Sequence, residues 1–176
     1  MEININNANP GDAEDIQKLY YETYIDTYVN NEYGVTLGKL QSRYKDMLSE
    51  KSIAWLRSFI KSGIPQNHRY LVAKVDDKVV GVSYLEKESD HNRLQGLYIK
   101  PEYQGRGIGK MLWEEAKKFF DFKNVTILEV VEYTPKAINF YKKLGFIDTG
   151  KRYLEENVSA EKIRLPMMEM SLLPIK

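Results

Sequence analysis

The chain has no cysteine among its 176 residues. That excludes disulfides, thiolate zinc sites and a cysteine nucleophile. It has only two histidines, His68 and His91; both fall in stretches that read as turns, where solvated loop roles are expected. No apolar run is long enough to span a bilayer, and the acidic, Asn-rich start is not expected to act as a secretion signal. Neither charge dominates: Lys and Arg total 26 against 25 for Asp and Glu, a net charge of +1. No global field therefore favours nucleic acid or a membrane surface. What remains is a soluble globular protein, cytoplasmic by default, with one domain expected over residues 1–176.

The present features begin with glycine. In Gln104-Gly105-Arg106-Gly107-Ile108-Gly109-Lys110 three glycines alternate between the apolar run Leu94–Ile99 and the amphipathic run Met111–Phe120. Each removes a Cβ from a tight turn, so the backbone can approach a ligand with several N–H groups aimed one way. A helix starting there adds the positive end of its dipole. An anion such as a pyrophosphate is the ligand this turn suits. A P-loop needs a hydroxyl after Gly-Lys, and Met111 stands there. A dinucleotide fold needs Gly-x-Gly-x-x-Gly directly after a strand; the spacing here is Gly-x-Gly-x-Gly, with five residues between Ile99 and Gly105.

The remaining pattern is mixed. Glu2–Asn6 reads as a strand, Pro10-Gly11-Asp12 as a turn with Asp12 as N-cap, and Ala13–Val29 as a helix. Two further helical stripes follow: Leu37 to Leu48, then one capped by Ser49 and ended near Gly63. Tyr70–Val75 and Lys78–Leu85 read as a hairpin turning at Asp76-Asp77, and Asp90-His91-Asn92 reads as a turn. Leu94–Ile99 and Val125–Val131 are strands, Thr134-Pro135 opens a short helix ended by Gly145, and Phe146–Tyr153 and Met167–Leu173 close the chain as strands around a charged connection. This order describes an α/β sheet, antiparallel at its start, with one βαβ unit around the glycines.

Two motifs carry a resemblance. Leu97 to Gly109 resembles the central motif of the GNAT family of N-acetyltransferases, Gln/Arg-x-x-Gly-x-Gly/Ala after an apolar strand ending near a proline; Gln104, Gly107 and Gly109 match. Ala137-Ile138-Asn139-Phe140-Tyr141-Lys142-Lys143-Leu144-Gly145-Phe146 is similar to the family's second segment, A-I-x-F-Y-x-K-x-G-F. The resemblance implies a mixed sheet, flanked by helices, whose fourth and fifth strands splay in a V, and acetyl-CoA as cofactor. It implies that the pantetheine arm pairs with the backbone of Leu97, Tyr98 and Ile99, that an N–H there polarises the thioester carbonyl, and that the pyrophosphate takes the N–H groups of Gln104, Gly105, Arg106, Gly107, Ile108, Gly109 and Lys110. Thr134 replaces the family's usual Asn. Asn139 is a second candidate for that cofactor contact, and Lys143 belongs to the same segment.

By the same carry-over Tyr141 is the general acid. The family's frequent Glu on the strand before the turn is Gln95 here, which cannot act as a base, so Glu129 on the next strand is the candidate. Without cysteine, direct transfer in a ternary complex is expected. Glu22-Thr23-Tyr24-Ile25-Asp26-Thr27-Tyr28 resembles a stretch of the PaiA-type spermidine/spermine acetyltransferases. That points to a polyamine acceptor held by Glu22, Asp26 and Glu32 with Tyr28 and Tyr33. A protein N-terminus or another small amine stays open, as do a non-catalytic CoA-binding module and a homodimer. No metal is expected.

Overall fold

The computed structural model describes residues 2–156 and 163–174. Seven strands form one sheet: β1 (Asn4–Asn7), β2 (His68–Val75), β3 (Lys78–Lys87), β4 (His91–Ile99), β5 (Val125–Val131), β6 (Ile147–Glu156) and β7 (Arg164–Leu172). Their order is β1-β2-β3-β4-β5-β7-β6. Every neighbouring pair is antiparallel except β4 with β5. That parallel pair needs a crossover, and α4 (Ile108–Phe119), the helix after the glycines, supplies it. Part of the charged connection before β7, residues 157–162, lies outside the described residues.

The other helices are α1 (Ala13–Tyr28), α2 (Leu37–Tyr44), α3 (Glu50–Ser58) and α5 (Pro135–Lys143). The second stripe is thus shorter than its pattern: Lys45–Leu48 tightens into a 3-10 turn. Ser49 does cap α3, accepting from the Ser52 N–H at 3.2 Å. Asp12 departs from its expected role. Its side chain makes no cap to α1; it accepts from the Asn9 N–H at 2.9 Å and pairs with Lys74 Nζ at 2.6 Å. The N-terminal cap falls to Asn9, which accepts from Gly11.

Helices cover both faces of the sheet. On one, Ile108, Leu112 and Trp113 of α4 and Tyr141 of α5 pack on Leu71, Leu94 and Leu128. On the other, Ile16 and Leu19 of α1 and Ile53 and Leu56 of α3 pack on Val72 and Val82. Each fully buried aliphatic side chain of this kind contributes about 1.5–3 kcal/mol. Asp76 and Asp77 turn the hairpin with φ of +48° and +63°, the pair of positive angles that a two-residue turn between twisted strands requires.

Both histidines lie in strands, contrary to the turn reading. His68 opens β2 and His91 opens β4. His68 Nδ1 is 2.8 Å from the Tyr84 hydroxyl. Asn92, expected in a turn, is fully buried. Its amide donates to the Asp121 carbonyl at 2.8 Å and accepts from the Asp121 N–H at 3.1 Å. Those long-range bonds hold a turn-forming residue inside a strand.

One irregularity shapes the middle of the sheet. Tyr84 pairs with Gly96 but Leu85 pairs with Leu94, so Gln95 is an extra residue on β4. Such a bulge bends its strand. The β4–β5 ladder runs from His91↔Val125 to Leu94↔Leu128 and stops immediately before it. Beyond that rung β4 follows β3 as far as Gly81↔Ile99, while β5 follows β7 as far as Val131↔Met167. The two parallel strands part, and the V-shaped splay opens between them.

Candidate active site

The splay is the floor of a cleft of about 850 Å³, walled by β4, β5, the glycine turn, α1 and α5. Leu97, Tyr98 and Ile99 are hydrogen-bonded to β3 on one side only. Their other backbone edge faces the open splay, where an extended ligand can add as a strand would.

At the far end lies the glycine turn. Gly105 and Gly107 have φ of +75° and +83°, angles that L residues with side chains rarely adopt. Gly107 is the N-cap of α4 and brings no capping side chain. The first N–H groups of a helix have no partner within it, so those of Ile108, Gly109 and Lys110 are available to an anion. Gly109 answers a different need: a Cβ there would stand 3.0 Å from Phe140 Cζ and 3.5 Å from Leu97 Cδ2. Gln104 Nε2 donates to the Ile99 carbonyl at 3.2 Å, tying the turn to β4. Lys110, Lys136 and Lys143 line the cleft. Bare helix amides, three lysines and an apolar strand edge together fit a long ligand with an anionic head, as coenzyme A is.

The Arg106 side chain lies outside the cleft wall. Its guanidinium stacks over the Tyr103 ring at 5.2 Å and donates to the Glu102 carbonyl at 2.9 Å. Thr134 lines the cleft, but its hydroxyl donates to the Val131 carbonyl at 2.6 Å. Its donor is spent; only its lone pairs remain for a ligand. Asn139 is exposed and off the wall.

Gln95 and Glu129 are the first residues past the last ladder rung, one on each strand, and both line the cleft. Gln95 Nε2 donates to Glu86 Oε1 at 2.9 Å. Glu129 is partly buried and stands 3.5 Å from Arg93 Nη1. Tyr141 is buried, held edge-on between Phe140 and Phe146. Burial pushes its phenol well above the ordinary tyrosine range.

The residues expected to hold the acceptor divide. Asp26 and Tyr28 line the cleft, whereas Glu22, Glu32 and Tyr33 do not. Glu22 pairs with Lys100 at 3.4 Å. Tyr33 is exposed and rests 4.9 Å from the ring of Tyr133. Tyr133 itself lines the cleft, and its hydroxyl donates to the Tyr28 carbonyl at 2.9 Å; burial pushes it up to about 12. Nothing in its local sequence announces that role. Lys136 was equally missed, although its place one residue after Pro135 puts it in the first turn of α5.

A splayed parallel pair, a bare helix start and a buried phenol on one cleft are the features that the N-acetyltransferase resemblance implies. The comparisons agree. The model of the acetyltransferase (GNAT) domain matches residues 66–148. The peptidyl-lysine N-acetyltransferase YjaB of Salmonella typhimurium (strain LT2) is 31% identical over 111 residues, covering 63% of this chain and 72% of that protein. The spermidine N(1)-acetyltransferase of Thermoplasma acidophilum is 26% identical over 130 residues, covering 73% and 70%. The crystal structure of the PaiA N-acetyltransferase from Thermoplasma acidophilum in complex with coenzyme A superposes with a TM-score of 0.65 at 24% identity, over 96% of this chain and 98% of that one. The chain belongs to the GNAT family of N-acetyltransferases, whose acyl donor is acetyl-CoA.

Proposed function

We propose that this enzyme acetylates a primary amine of a polyamine by direct transfer, with residues 1–176 acting as one domain. The observation that carries the reading is the placement of Glu129 and Tyr141 around one splay, with Asp26 at the α1 side of the same cleft. The identity to a spermidine acetyltransferase supports the acceptor class.

Acetyl-CoA, when bound, supplies the thioester whose acyl carbon the amine attacks. The free edge of Leu97–Ile99 holds the donor's arm and lends an N–H to the carbonyl oxygen as charge develops there. The amides from Gln104 to Lys110, with Lys110, Lys136 and Lys143, hold the phosphates. An alkyl ammonium has a pKa of about 10.4, so it must lose a proton before attack. The Glu129 carboxylate takes that proton through a water, and Arg93 holds the carboxylate in place. Nitrogen–carbon bond formation is matched by carbon–sulfur cleavage: Tyr141 gives its phenolic proton to the leaving sulfur, and the nitrogen sheds its second proton to water as it becomes an amide. Both groups recover by exchange with solvent. Tyr141 stays protonated until needed because burial disfavours its phenolate.

A cationic acceptor is favoured by Asp26 and by the phenols of Tyr28 and Tyr133 along its path. A lysine side chain in a peptide is the second reading, favoured by the 31% identity to YjaB. One experiment separates them: thiol release from acetyl-CoA with spermidine, spermine, lysine peptides and peptides with free N-termini. Turnover with spermidine or spermine and not with the peptides is expected. Turnover confined to peptides transfers the assignment to the second reading.

A further inference from the structure

The side-chain amide of Gln95 has its orientation fixed by its neighbour. The bulge leaves Gln95 without a rung on β3, since Tyr84 pairs with Gly96 and Leu85 with Leu94. The side chain still reaches β3, where Nε2 donates to Glu86 Oε1 at 2.9 Å. An ionised carboxylate only accepts, so the amide must turn its NH2 end to Glu86. The flipped amide would set two oxygens against each other. Oε1 is therefore the end left over, and Glu86 is the hydrogen-bond partner of this side chain among the described residues.

The place of Gln95 gives that leftover acceptor a use. Gln95 lines the cleft on β4 and Glu129 lines it on β5, each the first residue past the last parallel rung, Leu94↔Leu128. The two walls of the opening thus carry one neutral acceptor and one charged one. Both rest on the same support: Arg93 is the ladder partner of Glu86 and stands 3.5 Å from Glu129. A glutamate in place of Gln95 would set a second carboxylate against Glu86, and like charges that close resist ionising together. Glutamine keeps an acceptor there that takes up no proton. Donating to an anion also polarises the amide and strengthens its carbonyl as an acceptor.

We propose that Gln95 Oε1 accepts an N–H of the acceptor amine, and that Glu86 is the positioning residue that holds the amide for it. An alkylammonium brings three N–H groups. One proton leaves toward Glu129, one N–H is held on Gln95, and the lone pair freed by the first faces the splay. No proton passes to Gln95, and no covalent bond is made or broken there. The inference rests on amine transfer at this site with Glu129 as the base, whichever amine is used.

The test measures acetyl transfer to spermidine and to a lysine peptide. Gln95 is exposed and Glu86 partly so, and replacing either removes no core packing. Gln95→Met, close in shape and without the amide, should lower kcat/KM for the amine about tenfold, the size of one lost hydrogen bond. Its KM for acetyl-CoA should not change. Glu86→Leu releases the amide and should lower kcat/KM about threefold, with the acid limb of the pH–rate profile kept. In the Gln95→Met background Glu86→Leu should cost nothing more, because its effect passes through the amide. Unchanged kcat/KM in Gln95→Met overturns the proposal, as does a loss accompanied by a raised KM for acetyl-CoA. Additive losses in the double variant, or an acid limb abolished by Glu86→Leu, overturn the positioning role. Wild-type transfer to neither amine instead removes the amine-transfer reading beneath it.

Discussion

Arg93 Nη1 stands 3.5 Å from Glu129 Oε1, across the last rungs before β4 and β5 part. The arginine belongs to the paired half of β4 and the carboxylate to the open half of β5. One end of Glu129 is thus tied to the closed sheet while the residue lines the cleft. Behind it the cross-strand neighbour Glu169 is occupied by Lys151 at 2.8 Å. Of the two carboxylates, Glu129 lines the cleft and Glu169 does not.

Replacing that carboxylate is the direct check. Glu129→Gln keeps the shape and removes the base. It should lower kcat about 100-fold and abolish the acid limb of the pH–rate profile. An unchanged profile would assign the base elsewhere, and Glu86, joined to Gln95 at 2.9 Å, would be next to test.

Tyr141→Phe removes only a hydroxyl from a ring that Phe140 and Phe146 already hold. The fold should persist and acetyl-CoA should bind as before. The expected loss is about 100-fold in kcat with the acetyl-CoA dissociation constant unaltered. Binding by calorimetry beside steady-state rates checks both. A parallel fall in affinity would make Tyr141 a cofactor contact and not an acid.

Gly107→Ala places a Cβ on a residue with φ of +83° at the bare start of α4. The free protein has open space there, so the backbone strain costs about 1–2 kcal/mol. An anion seated on the helix amides would meet the new methyl. The KM for acetyl-CoA should rise by more than the loss of stability accounts for. Thermal melts with and without coenzyme A separate the two effects: the ligand-induced gain should shrink in the variant.

The buried phenols also predict how stability falls in alkali. Burial raises Tyr20, Tyr24, Tyr28, Tyr70, Tyr98 and Tyr141 above the ordinary value of 10.0. In the unfolded chain they ionise near that value, so above it the folded state binds more protons than the unfolded one. Stability then decreases with rising pH. The stabilisation is intact below about pH 10 and is lost as pH climbs toward the raised values. Phenolate absorbance followed with circular dichroism should show these tyrosines ionising together with unfolding. Separate ionisation at their ordinary value, in a folded protein, would contradict their burial.

Much of this site is written locally. The strand expected over Val125–Val131 has those bounds, and Pro135 opens α5 as its fixed φ suggests. Gly105 and Gly107 are glycines because of their backbone angles, which a Gly-x-Gly spacing announces. Other assignments failed for want of distant partners. Glu22 and Asp26 lie four residues apart, about 6 Å along α1. That offset leaves Glu22 on Lys100 and Asp26 in the cleft. Arg106 belongs to the turn expected to hold the pyrophosphate, yet its side chain folds back on Tyr103. Asn92 has turn chemistry, yet Asp121 holds it in a strand.

The element order, the glycine turn before α4 and the acetyltransferase resemblance are legible in the sequence, because each rests on spacings within short segments. Where the strands part, which carboxylates line the opening and how Tyr28 of α1 reaches Tyr98 follow from tertiary contacts. Those outcomes depend on a bulge at Gln95 and on contacts between residues dozens of positions apart. A local pattern records what a segment prefers. It does not record which distant neighbour will satisfy its hydrogen bonds and charges once the sheet has closed around it.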